Sequence, residues 1–149
     1  MNNPNIAHNV ITESEFIGEC AMKTNIQALQ HVSLIVANTQ KSLHFYCELL
    51  QLQQDFNRPH LGYEGAWLSI SAEQQIHLLE LPNPDPIQGR PEHGGRDRHA
   101  AFMVNDLQLI VDQLNHAKIG YTLSKSGRRA LFCRDPDNNA LEFIQVKDV

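Results

Sequence analysis

An internal repeat constrains the fold of this chain more than any other feature. The segment His99-Ala-Ala-Phe-Met-Val104 repeats the pattern of His31-Val-Ser-Leu-Ile-Val36 at an offset of 68 positions. In each copy a histidine opens a short apolar segment, and a residue suited to cap a helix (Asn38 or Asp106) follows it. Each copy therefore predicts a strand followed by an amphipathic helix, so the chain is expected to contain two related modules.

Alternating apolar residues and turn signals add three further strands to each copy. We predict them at residues 53–56, 66–70 and 75–81 in the first half, and at 121–124, 130–134 and 140–144 in the second. The first helix is expected to run through Leu50, and Gly120 is expected to end the second as its left-handed residue. The sequence thus predicts an α+β fold in which two βαβββ modules, at about 28–82 and 97–147, form a mixed sheet that lines a cavity.

The two modules are predicted to form a single domain at residues 28–149, with a Pro- and Gly-rich connector between them. Residues 1–27 are predicted to be a mobile N-terminal extension because they are polar and begin with an Asn-rich segment. Met22 is an alternative start of the chain, since the repeated pattern begins only after it.

Composition excludes several classes of function. Of the residues, 42% are apolar and 19% are charged, and the formal charge is -5, which argues against nucleic-acid or anionic-membrane binding. No apolar run approaches the length of about 20 residues that a membrane span requires. The three cysteines form no disulfide framework, so a cytoplasmic location is expected.

Four polar residues share one register in the predicted strands: His31, His77, His99 and Glu142. Each alternates with apolar residues suited to pack under a helix, so all four are expected to point into the cavity. Imidazole suits Zn, Fe and Ni, and a carboxylate also admits Mn. These residues are therefore predicted to bind one divalent metal ion (Zn, Ni, Fe or Mn). Glu80 lies on the opposite face of its strand and is not part of this set.

Other residues are candidates for contact with a substrate. Arg96, Arg98 and Arg128 lie near the second-half strands, where guanidinium groups could clamp a carboxylate or phosphate. Trp67 could line an apolar wall of the cavity. The alternative interpretation is that the arginines are solvated loop charges and that the tryptophan is part of the core.

With these motifs, the chain resembles the vicinal oxygen chelate superfamily of glyoxalases, bleomycin resistance proteins and ring-cleaving dioxygenases. The resemblance covers about residues 29–146 and is carried by His31-Val-Ser, Phe45-Tyr46, Ile76-His77-Leu78, His99-Ala and Asp135-Pro-Asp-Asn-Asn-Ala-Leu-Glu142-Phe. It implies a glyoxalase-like fold, with metal ligands at the first and last strands of each module. It also implies a homodimer, with the metal site either within one chain or shared between two.

Three residues depart from the family pattern. Gln51 and Asn138 stand where the family often has glycine, and His77 stands where glyoxalase I has glutamate. The leading functional hypothesis is a metal-dependent enzyme with lyase or isomerase chemistry, in which Glu142 moves a proton of a small substrate chelated through vicinal oxygens. Such a substrate can be anionic. The alternatives are an Fe(II) extradiol-type dioxygenase and a metal-free small-molecule binding or resistance protein.

Overall fold

The computed structural model describes residues 25–86 and 88–146. The predicted extension lies almost entirely outside these residues, as does the alternative start at Met22. In the described part of the chain, no helix is both long enough and apolar enough to cross a bilayer.

The described residues fold into two modules with the predicted βαβββ order. The first contains β1 (His31–Val36), α1 (Thr39–Leu43, continued by a π-helical segment over His44–Leu49), β2 (Gln53–Asp55), β3 (Gly65–Ser69) and β4 (Gln75–Glu80). The second contains β5 (His99–Val104), α2 (Leu107–His116), β6 (Tyr121–Leu123), β7 (Ala130–Arg134) and β8 (Ala140–Gln145). The predicted α+β class and the two modules are confirmed.

Each module has a four-stranded mixed sheet, and the two sheets have equivalent topologies. The strand orders are β1-β4-β3-β2 and β5-β8-β7-β6, and the first strand of each module pairs in parallel with the last. His77 lies opposite Trp67 on β3, and Glu142 lies opposite Phe132 on β7. The repeat seen in the sequence therefore extends to the hydrogen-bond register, in which His77 and Glu142 occupy equivalent positions.

One face of each sheet forms the core beneath the helices. Leu68, Ile76 and Leu78 are buried in the first module, and Leu131 and Leu141 are buried in the second. Full burial of a Leu or Ile side chain contributes roughly 1.5–3 kcal/mol, so this face is fixed firmly in register. His77 alternates with the buried Ile76 and Leu78 on β4, and Glu142 follows the buried Leu141 on β8.

The second half of helix α1 is not a regular α-helix. Two successive residues, Phe45 and Tyr46, are buried there, whereas Leu43, Cys47 and Leu50 are only half-buried. The wider turn of the π-helical segment changes the direction of the side chains, so the core-facing stripe shifts.

The end of helix α2 corrects another prediction. Gly120 was expected to be the left-handed residue, but Lys118 has the positive φ of 57°. The backbone N–H of Ile119 donates to the carbonyl of Leu114 at 2.8 Å, and the Ile119 side chain packs against the core. This contact fixes the reversal of the chain two residues before the glycine.

The turn at residues 135–139, between β7 and β8 of the second module, contacts the first module. The buried Tyr46 hydroxyl donates to Asp135 Oδ2 at 2.8 Å. Asp137 accepts from the backbone N–H of Ala37 at 2.9 Å, and the Asn139 side chain donates to the Ile35 carbonyl at 3.1 Å. Burial raises the pKa of Asp135 and that of Tyr46. Because both groups are shielded from water, each depends on the other for a hydrogen bond.

Candidate metal and substrate site

The two histidines predicted in the first module are stacked on each other. The His31 and His77 ring centroids are 4.1 Å apart with an interplanar angle of 14°, and Trp67 stacks on His77 at 4.6 Å. Burial lowers the pKa of His77, and the nearby His31 adds to this effect. In-plane lone pairs of nearly parallel rings cannot converge on one ion, so joint coordination requires one ring to rotate.

The pair in the second module has the spacing of two metal ligands. His99 Nε2 is 3.3 Å from Glu142 Oε2. Two ligands that each lie about 2.1 Å from one ion are roughly 3.0–3.4 Å apart. The distance between these two atoms is therefore compatible with one divalent ion bound by both.

The second ring nitrogen of His99 supports the same interpretation. His99 Nδ1 is 2.8 Å from the Asp97 carbonyl oxygen, which can only accept a hydrogen bond, so Nδ1 carries a proton. In the neutral ring, Nε2 then presents a lone pair to the Glu142 carboxylate. The distance of 3.3 Å leaves room for a metal ion between these two electron-pair donors.

A small cleft of about 280 Å³ surrounds this pair. Glu142 is only 3% exposed, and its Oε1 lies 3.3 Å from Arg128 Nη2. The cleft is lined by basic, hydroxyl and aromatic side chains, namely His93, Arg96, Ser124, Lys125, Ser126, Arg128 and Phe132. We refer to it below as the Glu142 cleft.

The predicted substrate-binding residues do not all lie at this cleft. Arg96 and Arg128 line it. Arg98 instead pairs with Asp85 at 2.5 Å and lines a different cleft. Trp67 belongs to the first module, where it stacks on His77.

Sequence reasoning missed Phe132 and the turn that covers it. A Cβ on Gly94 would lie 2.9 Å from the Phe132 Cβ, and one on Gly95 would lie 3.1 Å from Phe132 Cζ. The close contact leaves no room for a Cβ at Gly94 and little at Gly95, and the turn carries His93 and Arg96 at the cleft. Two signals were available: the Gly-Gly pair itself, and the position of Phe132 at the same offset from Trp67 as Glu142 from His77.

The first-module and second-module pairs do not meet within one chain. Among residues 25–86 and 88–146, no group of three or more His, Cys, Asp or Glu side chains is arranged to hold a metal ion. His31 and His99 line a common cleft of about 420 Å³ between β1 and β5, but each remains with its own partner. The four-residue metal site stays a prediction.

Comparison with known proteins identifies the family. The chain matches the Glyoxalase/Bleomycin resistance protein/Dioxygenase superfamily over residues 28–143, which is most of its length. The chain belongs to this superfamily. The resemblance noted in the sequence motifs is thereby confirmed.

Three relatives illustrate the range of the superfamily. Glyoxylase I 4 of Arabidopsis thaliana is 27% identical over 79% of this chain and 70% of its own length. TnmS3, an antibiotic binding protein from Streptomyces sp. CB03234, is 16% identical and superimposes over 83% of this chain and 99% of its own, with a TM-score of 0.65.

The third is a mutant of the fosfomycin resistance protein FosX from Listeria monocytogenes. It is 18% identical, superimposes over 82% of this chain and 94% of its own, and has a TM-score of 0.63. That structure contains Mn(II) and 1S,2S-dihydroxypropylphosphonic acid. The two structural likenesses, at these identities, establish the fold alone.

Proposed function

We propose that the protein is a metal-dependent enzyme with lyase or isomerase chemistry, acting on a small molecule that binds through vicinal oxygens. The ion is divalent (Zn, Ni, Fe or Mn), and His99 and Glu142 bind it. The observation that carries this proposal is the pair of electron donors that face each other at 3.3 Å. Membership of a superfamily in which FosX holds Mn(II) supports it.

The site is completed by His31 and His77 of a second copy of the chain, with one of the two stacked rings rotated so that both reach the ion. Two observations favour this arrangement over a site within one chain. The two pairs remain apart in the chain. The cleft between β1 and β5 also carries exposed apolar side chains, with Leu29 at 73% and Met103 at 80%, and a partner would cover them. The proposed assembly is a homodimer.

The side chains of the Glu142 cleft have distinct roles in this proposal. A bound divalent ion would act as a Lewis acid that polarises the substrate oxygens. Glu142 accepts and returns the substrate proton. Arg128 orients the carboxylate of Glu142 through their contact at 3.3 Å. The Asp97 carbonyl holds His99 in the required tautomer.

A second candidate is a metal-free binding protein, and the first module favours it. The rings of His31, His77 and Trp67 form a continuous stack that suits contact with a flat ligand better than coordination. The structural relative TnmS3 is an antibiotic binding protein. Dioxygenase chemistry stays a prediction, because the geometry of the donors does not distinguish iron from other divalent ions.

Metal analysis separates the two candidates. Protein purified without added metal is expected to hold close to one divalent ion per chain by elemental analysis. His99→Ala and Glu142→Gln are expected to lose the ion, because each removes half of the second-module pair. His44→Ala serves as the matched control, since His44 is an exposed histidine that pairs with Glu48 on α1.

Two results would contradict the metal-dependent proposal. One is an unchanged metal content in both site variants. The other is a wild-type protein that contains no ion and takes up none of the four metals when they are supplied, which would favour the binding protein.

A further inference from the structure

The Glu142 cleft has a charge opposite to that of the whole chain. The chain has 17 acidic and 12 basic residues, excluding histidine. The cleft is lined by three basic side chains (Arg96, Lys125 and Arg128) but by one carboxylate, Glu142. Two positive charges are therefore in excess at this cleft when its histidines are neutral, and overall composition does not account for them.

The two excess charges lack ion-pair partners in the part of the chain that the structure describes. Arg128 contacts Glu142, but neither Arg96 nor Lys125 is among the ion-paired residues of segments 25–86 and 88–146. The acidic neighbour of Arg96, Asp97, is bound to Arg90 and Arg134 instead. Its charge is thus already neutralised away from the cleft.

The backbone that carries Arg96 is held firmly in place. Asp97 Oδ2 accepts from Arg90 Nε at 2.8 Å and from Arg134 Nη1 at 2.9 Å, which closes the loop of residues 90–97 onto β7. Gly94 and Gly95 lie against the ring of Phe132. Arg96 therefore projects from a clamped turn and not from a loose connector.

Hydroxyl groups complete the lining on the other side. Ser124 Oγ and Ser126 Oγ are 2.9 Å apart, and Arg128 Nε donates to Ser126 Oγ at 3.2 Å. Guanidinium, ammonium and hydroxyl donors together match the oxygens of a tetrahedral dianion. Phe132 provides an apolar floor for a short carbon chain.

We infer that the Glu142 cleft binds a small organic phosphate or phosphonate, whose dianionic group is held by Arg96, Lys125 and Arg128. The inference deepens the proposed function, because it names the class of substrate for the same site. Counted without a bound metal ion, the excess of two positive charges matches a dianion, and the volume of about 280 Å³ restricts the ligand to a small molecule.

Inorganic phosphate tests the inference by calorimetric titration of the full chain at about pH 8, where phosphate is mostly dianionic. The titration is made on protein as purified and again after treatment with a chelator. Binding is expected in both samples. Arg96→Gln and Lys125→Gln are each expected to weaken it about tenfold, the loss of one charge-assisted contact.

Arg98→Gln is the matched control. Arg98 is also an arginine of the connector, but it pairs with Asp85 and lies outside the cleft. Its replacement is expected to change the phosphate affinity by less than about twofold. Circular dichroism of each variant checks that the fold is retained, and Arg96→Lys is expected to recover part of the affinity.

Three results would overturn the inference: no phosphate binding by the full chain, equal weakening in Arg98→Gln and Arg96→Gln, or binding that disappears on chelation. The last would show that phosphate binds to metal and not to these cations. Metal content measured on the same variants keeps the two proposals separate. Arg96→Gln should retain its metal, and a protein without metal can still bind phosphate.

Discussion

At the scale of the residue, three positions other than glycine adopt left-handed backbone conformations within residues 25–86 and 88–146. Their φ angles are 61° at Gln51, 57° at Lys118 and 68° at Asn138. Two of the three, Gln51 and Asn138, are positions where the family often has glycine, so the turn is kept although the favoured residue is absent. Asparagine tolerates this conformation, but glutamine adopts it at a cost of about 1–2 kcal/mol.

Gln51→Gly is therefore expected to stabilise the protein. It removes the strain of the left-handed conformation but increases the entropy of the unfolded chain, which leaves a net gain of about 0.5–1 kcal/mol. Urea denaturation measures the change. Gln40→Gly, in the exposed part of α1, is the control and is expected to lose about 1 kcal/mol. An equal loss in both variants would show that Gln51 is not strained.

At the scale of the element, the connector between the modules is held by one partly buried carboxylate. The Asp97 side chain is 9% exposed and accepts from both Arg90 and Arg134. The pKa of Asp97 is lowered to about 2, mainly by the hydrogen bond from Arg90 and to a smaller extent by the one from Arg134. Because the folded pKa lies below the unfolded one, the stabilisation is complete above about pH 4 and is lost as the pH falls towards 2.

Asp97→Asn is expected to lower the free energy of unfolding by about 2 kcal/mol at pH 7. The difference from wild type should shrink between about pH 4 and pH 2, where the native carboxylate becomes protonated. Urea denaturation across this range measures it. Asp85→Asn is the control, because Asp85 is more exposed and should have the smaller effect. A difference independent of pH would mean that the ion pair does not hold the connector.

The sequence predicted the strands well because their pattern is local. Alternation in Gln75–Glu80 and Ala140–Gln145 identifies the core face, and the ligand candidates follow from it. The sequence did not predict the π-helical segment of α1 or the turn at Gly94–Arg96. Both depend on contacts with distant residues, such as Phe132 beneath the two glycines, that no local pattern encodes.

At the scale of the whole molecule, the turn at residues 135–139 of the second module holds the two equivalent modules together through hydrogen bonds. Its contacts with Tyr46, Ala37 and Ile35 set how the modules lie against each other. The candidate metal site depends on that placement, which keeps the His31–His77 and His99–Glu142 pairs apart. The sequence predicted all four residues as ligands but left open whether they meet in one chain, because long-range packing decides it.

A mixing experiment tests directly whether two copies share the site. One variant carries His31→Ala with His77→Ala, and the other carries His99→Ala with Glu142→Gln. Each is expected to hold no metal alone. In a dimer that contains one copy of each variant, one of the two sites combines both intact pairs. Random pairing in an equal mixture makes about half of the dimers mixed, so the refolded mixture should hold about one ion for every four chains.

The measurement is the metal content of that refolded mixture, compared with each variant refolded alone and with wild type treated in the same way. A shared site predicts that metal binding returns to about a quarter of the wild-type level. A site within one chain predicts none, because every chain in the mixture lacks one of its two pairs. The shared site would be contradicted if the refolded wild-type protein binds metal and the refolded mixture binds none.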